Sequence, residues 1–150
     1  MVKYNNLLYT FMNDSLKSLS YQYKDSLVIS YWMNNKTSNR PVVGLLNYGM
    51  TITAKGKLLI YGGYTETTFI SRRYRNLTTH NEFWICDLSS LPLDFSLTDT
   101  LPLSGGYSRI ALVGDDIVSL MTFESDQILL VNVSEMTAYF VKINGDRKSV

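Results

Sequence analysis

Cysteine and histidine are almost absent from this chain of 150 residues, which contains one of each, Cys86 and His80. A single cysteine cannot form an intrachain disulfide, and one cysteine with one histidine falls short of the ligand set of a structural zinc site. A Ser–His–Asp arrangement would have to use His80, and no serine is marked for that role by its sequence context. The sequence therefore predicts no metal, no cofactor and no enzymatic activity, with Cys86 as a small buried apolar residue.

Excess charge and long apolar runs are also lacking. Fourteen Lys and Arg oppose 13 Asp and Glu, which leaves a formal net charge of +1. Such a chain has no overall field to attract nucleic acid or an anionic membrane, so neither is expected as a partner. No stretch approaches the roughly 18 apolar residues of a membrane span, and the first residues are polar where a secretory signal would be apolar. These features predict a soluble, cytoplasmic protein.

Glycine is sparse, with nine residues, and the pairs Gly62–Gly63 and Gly105–Gly106 stand alone. Neither pair is followed by the lysine of a phosphate-binding loop, so both are interpreted as turn glycines. Helical periodicity is missing from every segment, whereas apolar residues make up 45% of the chain and 11 residues are tyrosine. The composition is that of a folded, strand-rich protein.

The stretch Lys57–Gly63 organises the rest of the chain. Its apolar run Leu58–Tyr61 has the length and composition of a strand buried on both faces, and it stops at the two glycines. The turn formers Lys55 and Gly56 precede it, which predicts a tight antiparallel hairpin with the strand before.

Three sets of short strands separated by turn residues follow one another along the chain, and they define the domain organisation. The first set covers residues 4–33 and lacks a first strand; its strands are predicted at 6–13, around 19–23 and at 27–33. The second set covers 45–101, with strands at 45–53, 57–63, 81–88 and weakly at 93–101, and with a long polar connection at 64–80. The third covers 107–143, with strands at 107–113, 117–123, 127–133 and 137–143, and a polar tail occupies 144–150.

The three sets have the spacing of an internal repeat. The first two strands of the second set align with those of the third at an offset of 59, and the third strands align at 45. From Leu8 to Leu59 the spacing is 51. Periods near 50 residues are those of kelch repeats.

The second set resembles a kelch repeat in its residues as well. An apolar strand ends in Gly62–Gly63, and a second strand led by Asn81 contains Trp84 and ends at Asp87. The resemblance covers about 40 residues well, and the double glycine is missing from the other two sets. It implies an all-β fold of four-stranded antiparallel blades, a partial β-propeller, and a non-catalytic protein-interaction role.

Propellers have about 4 to 8 blades, so the resemblance also implies that this arc of three needs further blades or self-association. Two alternatives stay open. The chain could be a truncated structural remnant of a larger kelch protein without independent activity, or a small carbohydrate-binding propeller piece that uses Trp32 and Trp84 as platforms.

One cluster points to a binding site: Arg72, Arg73, Tyr74 and Arg75, in the connection of the second set. Three guanidinium groups and an aromatic ring can grip carboxylates or phosphates by bidentate hydrogen bonds. We expect this connection to share one rim with residues 34–41 and 91–106, the irregular segments where a scaffold binds its partners. The expected partner is a protein with an acidic or phosphorylated segment.

Overall fold

In the computed structural model the described residues are 1–12, 15–24, 27–35, 37, 39–69, 74–98, 108–122 and 125–142, and the side chains at 21–31, 68–75 and 142 are outside the description. Every regular element among them is a strand, as the sequence predicts. The strands are β1 (Val2–Tyr4), β2 (Leu7–Met12), β3 (Ser15–Lys24), β4 (Leu27–Asn35), β5 (Gly49–Ile52), β6 (Lys57–Tyr61), β7 (Tyr64–Phe69), β8 (Tyr74–Thr79), β9 (Phe83–Asp87), β10 (Phe95–Leu97), β11 (Ser108–Leu112), β12 (Ile117–Thr122), β13 (Gln127–Asn132) and β14 (Thr137–Lys142).

Twelve of these strands form three antiparallel sheets of four. The first sheet has the order β1-β2-β3-β4, the second β5-β6-β9-β10 and the third β11-β12-β13-β14, while β7 and β8 pair only with each other. In the first and third sheets the strands are neighbours in chain order, whereas in the second sheet β7 and β8 lie in the chain between the paired strands β6 and β9. The all-β, four-stranded antiparallel fold expected from the sequence is therefore confirmed.

The first sheet corrects one prediction, because it does not lack its first strand. Val2–Tyr4 pairs with β2, and Tyr4 lies opposite Leu7. Asn5 and Asn6 form the two-residue turn with φ of 46° and 63°, the left-handed values that a type I′ hairpin requires and asparagine tolerates. Three residues are too short for a periodicity signal, but the Asn–Asn pair could have indicated the turn.

A second prediction, of a long polar connection at 64–80, is also corrected. In this part of the second set the strands β7 and β8 pair as a β-hairpin. Its ladder runs from Tyr64 opposite Thr79 to Phe69 opposite Tyr74. The β-branched threonines at 65, 67, 78 and 79 favour strands even though they are polar. Polarity was therefore the wrong criterion here, since neither face of this hairpin needs to be apolar.

The second sheet lies between the other two and is covered on both faces. One apolar cluster joins it to the first sheet and contains Leu58 and Ile60, and another joins it to the third and contains Leu59 and Tyr61. All four side chains are fully buried. The expectation that Lys57–Gly63 contains a strand buried on both faces is confirmed, and the strand ends at Tyr61, directly before the glycines.

The register of the second and third sheets shows a structural repeat and corrects its spacing. Ile52 lies opposite Leu58 in one sheet and Leu112 opposite Val118 in the other, so both strands are displaced by 60 residues, not 59. Since Leu58 pairs with Cys86 and Val118 with Val131, the third strands are displaced by 45, as predicted. A shift of one residue matters because it exchanges the two faces of a strand.

Backbone hydrogen bonds repeat with the same spacing. Across the first turn of each sheet, the Thr53 amide donates to the Lys57 carbonyl (3.0 Å) and the Val113 amide to the Ile117 carbonyl (2.9 Å). The residue after the third strand also donates to this turn: Leu88 to the Gly56 carbonyl and Val133 to the Asp116 carbonyl, both at 2.8 Å. Four bonds with matching partners make the second and third sheets copies of one unit.

The three sheets stack so that their first strands meet, with β5 in contact with both β1 and β11. We name the face of each sheet that points to the preceding sheet its leading face, and the opposite one its trailing face. Ile60 of the second sheet and Leu120 of the third, 60 residues apart, both lie on leading faces. Within the described part of the chain, no helix is long and apolar enough to cross a membrane.

Candidate functional site: the hairpin of the second sheet

The hairpin formed by β7 and β8, here called the binding hairpin, is held at its base by a set of short hydrogen bonds. Leu46 and Tyr64 exchange both backbone bonds at 2.8 Å, and the His80 amide donates to the Gly63 carbonyl at 2.9 Å. The His80 side chain continues the clamp, with Nε2 3.0 Å from the Thr65 hydroxyl and Nδ1 3.3 Å from a Glu82 carboxylate oxygen. The base is thus fixed to the second sheet.

Beyond this base the hairpin leaves the body of the protein. Glu66, Thr67 and the four residues 76–79 are exposed, and Leu77 keeps 58% of its surface in contact with solvent. Glu66 lies opposite Leu77 and Thr67 opposite Asn76, so both faces of the described ladder are open. An isolated two-stranded hairpin is marginally stable in water, which makes this element the part of the described structure least supported by its own packing.

Most of the predicted arginine cluster falls outside the described residues. Tyr74 and Arg75 are the first two residues of β8, but their side chains are outside the described residues, as are Arg72 and Arg73 entirely. The structure therefore places only the backbone of Tyr74 and Arg75, at the start of β8. Along residues 64–79 the sequence has three arginines and one acid, Glu66.

Gly62 and Gly63, the pair predicted to form a corner, connect β6 to the binding hairpin. Their φ angles are 67° and 91°, where a side chain is strained. Space is also lacking, since a Cβ on Gly62 would lie 2.1 Å from the Ser108 hydroxyl and one on Gly63 would lie 2.7 Å from the Leu46 carbonyl oxygen. The Gly63 amide in turn donates to that Ser108 hydroxyl at 3.3 Å. Gly62 thus lets the first strand of the third sheet approach, whereas Gly63 makes room for the segment before β5.

The remaining motif residues lie along β9 and its approach. Asn81 precedes the strand and is half-buried. Trp84 is packed on the cluster between the first and second sheets with its indole N–H buried, so it is no open platform for a sugar ring. Asp87 ends the strand by accepting hydrogen bonds from the Ser89 amide (2.9 Å) and hydroxyl (2.6 Å), which hold its pKa below the ordinary value.

The side chains of Cys86 and His80 lie in different environments. Cys86 is fully buried in the leading face of the second sheet, and burial raises the pKa of its thiol to about 11. His80 belongs to the hairpin base described above. Among the described residues no group of three His, Cys, Asp or Glu side chains is arranged to hold a metal ion.

Two open cavities lie along the first strands of the sheets. One of about 370 Å³ is lined by β5 and β11 and includes Arg109, and one of about 560 Å³ lies by the Asn5–Asn6 turn and includes Lys3. Both are wide open, and neither contains a pair of carboxylates or a histidine. Their chemistry favours no particular reaction.

In comparisons with known proteins, no family model, no curated protein and no solved structure matches this chain.

Proposed function

We propose that this protein is a non-catalytic protein-interaction module of kelch type, a partial β-propeller whose binding element is the binding hairpin. The observation that carries the proposal is the hairpin itself: a rigidly clamped base with a ladder exposed on both faces. Exposed segments that a rigid scaffold holds in place often carry binding residues, so we assign a binding role to this hairpin.

The scaffold supports the proposal through its repeated units. Two sheets share their strand registers and matching backbone hydrogen bonds at spacings of 60 and 45 residues, and the first strands of all three sheets lie side by side. Four-stranded antiparallel sheets stacked about their first strands are the arrangement of propeller blades. The Gly–Gly corner of the kelch pattern has a physical role in it, because Gly62 makes room for Ser108 of the next sheet.

Charge and shape together suggest the class of partner. In sequence, Arg72 and Arg73 lie between β7 and β8, and Arg75 is the second residue of β8; guanidinium groups bind carboxylates and phosphates in bidentate geometry. Leu77 adds an exposed apolar contact on the same element. We expect the hairpin to bind an acidic or phosphorylated segment of a protein, in the cytoplasm.

The test measures peptide binding. A fluorescently labelled Asp/Glu-rich peptide and its phosphoserine counterpart are titrated with the intact chain, with the triple variant Arg72→Ala/Arg73→Ala/Arg75→Ala, and with Leu77→Ser. Polarisation should report binding by the intact chain, a loss of about tenfold or more in the triple variant, and a smaller loss in Leu77→Ser. The melting temperature should not change, because Leu77 is 58% exposed and the three arginines belong to none of the apolar runs of the sequence.

A matched control, Lys36→Ala/Arg147→Ala/Lys148→Ala, removes the same charge from other segments and should bind as the intact chain does. Equal losses in both triple variants would reduce the effect to net charge and reject the hairpin as the site. Absence of cooperative unfolding in the intact chain would favour the alternative that this is a structural remnant of a larger protein.

A further inference from the structure

One hydroxyl group of the binding hairpin, that of Thr78, has a distinctive position relative to the arginines. In the sequence, Arg73 and Arg75 stand five and three positions before it. Among all the serines and threonines of the chain, only Thr78 has an arginine three positions before it. The sequence thus distinguishes this hydroxyl group from every other one in the protein.

The structure leaves Thr78 accessible from solvent. Thr78 is exposed, as are its neighbours Asn76, Leu77 and Thr79. Of the described strands only β7 pairs with β8, so no described strand occupies the other edge of β8. Thr78 therefore lies in an extended segment with exposed side chains, and many peptide-binding grooves take their ligands in this form.

The charges before Thr78 suit an enzyme with an acidic substrate groove. In an extended chain, residues two apart project to the same side, whereas residues three apart project to opposite sides. A segment bound in this form presents Arg73 and Arg75 to one row of carboxylates and the Thr78 hydroxyl to the other side. Protein kinases discriminate substrates by such charge patterns. Thr79 does not fit, because its hydroxyl would project to the side of the two arginines.

We propose that Thr78 is phosphorylated by a protein kinase with an acidic substrate groove, and that the phosphate releases the acidic partner from the binding hairpin. In the reaction, Oγ1 of Thr78 bonds to the γ-phosphorus of ATP, the bond from this phosphorus to the β,γ-bridging oxygen breaks, and ADP leaves with the electron pair. The catalytic aspartate of the kinase accepts the hydroxyl proton. The release rests on the proposed function, whereas the modification itself does not depend on it.

The charge of the phosphate explains the expected loss of binding. Residues 64–79 contain three arginines against one acid, Glu66, which gives this segment a net charge of +2. A phosphothreonine adds about −1.5 to −2 at pH 7 and so cancels most of that charge. An acidic segment is then no longer attracted by the hairpin as a whole, and it meets a like charge on β8.

Phosphorylation of the intact chain tests the modification. The protein is incubated with ATP and a purified kinase that selects serine and threonine after arginine, and mass spectrometry of its peptides locates the phosphate. We expect one phosphoryl group, on Thr78, and none in Thr78→Ala. Arg75→Ala should slow the reaction about tenfold or more, because the groove then loses a guanidinium partner.

Two variants are matched controls for this reaction. Arg72→Ala removes the same charge at a position that projects to the other side, so it should slow phosphorylation much less than Arg75→Ala. Thr79→Ala removes the neighbouring hydroxyl and should be phosphorylated as the intact chain is. Circular dichroism checks that each variant is folded. A phosphate on another residue, or none on Thr78, would overturn the proposal.

Polarisation with the labelled Asp/Glu-rich peptide tests the release. The phosphorylated chain should bind this peptide about tenfold more weakly than the unmodified chain, and the difference should shrink at high salt. Thr78→Glu should bind more weakly than Thr78→Gln, which has the same size without the charge. Equal binding with and without the phosphate would reject the release. If the unmodified chain does not bind the peptide while Thr78 is phosphorylated, the proposed function fails and the modification site stands.

Discussion

At the scale of single residues, Gly62 provides the space in which the third sheet approaches the second, and the amide of Gly63 adds a hydrogen bond to Ser108. Gly62 and Gly63 are separated from Ser108 by 45 to 46 positions in sequence, yet the Gly63 amide and the Ser108 hydroxyl form a hydrogen bond. Ser108 is itself fully buried, and its amide donates to the Asn47 carbonyl at 3.1 Å. One side chain thereby links the corner of the second sheet to the start of the third.

Gly62→Ala should destabilise the protein by about 2–4 kcal/mol, from a positive φ and from the clash with Ser108. Urea denaturation measures the change. Adding Ser108→Gly should recover only part of it, because the clash disappears while the φ strain stays. Gly114→Ala is the control, since its φ is not positive and its nearest contact would be Ile117 at an ordinary 3.6 Å. A loss in Gly114→Ala equal to that in Gly62→Ala would contradict this explanation.

At the scale of elements, β6 is the strand on which both apolar clusters depend. Leu58 and Leu59 are neighbours in sequence, but one packs toward the first sheet and the other toward the third. A strand buried on both faces cannot be polar on either, which explains its uninterrupted apolar run. The binding hairpin is the opposite case, since neither of its described faces is covered.

Leu58→Ala and Leu59→Ala should each cost about 2–5 kcal/mol in free energy of unfolding, whereas Leu77→Ala on the exposed hairpin should cost less than about 0.5 kcal/mol. Native-state hydrogen exchange should separate the two core variants. Leu58→Ala should speed exchange in β2, and Leu59→Ala in β12. If both variants speeded exchange in the same sheet, the assignment of the two faces would be wrong.

At the scale of the whole molecule, buried weak acids set the response to alkaline pH. Burial raises the pKa of Cys86 from 9.0 to about 11, and also raises the pKa values of Tyr9, Tyr48 and Tyr61 above the ordinary 10.0. These groups bind their protons more tightly in the folded state than in the unfolded chain. Their contribution to stability is therefore fully present below pH 9 and is lost as the pH rises through the folded values.

The free energy of unfolding, measured by urea denaturation between pH 7 and 11, should fall from about pH 9 upward, with Cys86 contributing on the order of 2 kcal/mol. In Cys86→Val the fall should begin about one pH unit later, because only the tyrosines then respond. An unchanged onset in this variant would mean that the thiol is not buried in the folded protein. Thiol reagents give a second check, since Cys86 should react only on unfolding.

The sequence by itself determined the fold class, the places of most strands and the repeat. Apolar runs such as Leu58–Tyr61 and turn residues such as Lys55–Gly56 are local signals that carry this information. The candidate site followed from local signals only in part. The arginines were visible as a cluster, but the threonines beside them indicated a loop by polarity and a strand by β-branching, and only pairing decides between the two.

Only the tertiary structure decided the register, the faces and the role of the glycines. An offset of 59 or 60 matches the sequence about equally well, yet one residue exchanges the buried and exposed sides of every strand. Hydrogen bonds such as that from the Leu88 amide to the Gly56 carbonyl decide the register, because they join residues far apart in the chain. The three-residue strand Val2–Tyr4 and the meeting of Gly62 with Ser108 belong to the same class: both depend on partners that no local pattern specifies.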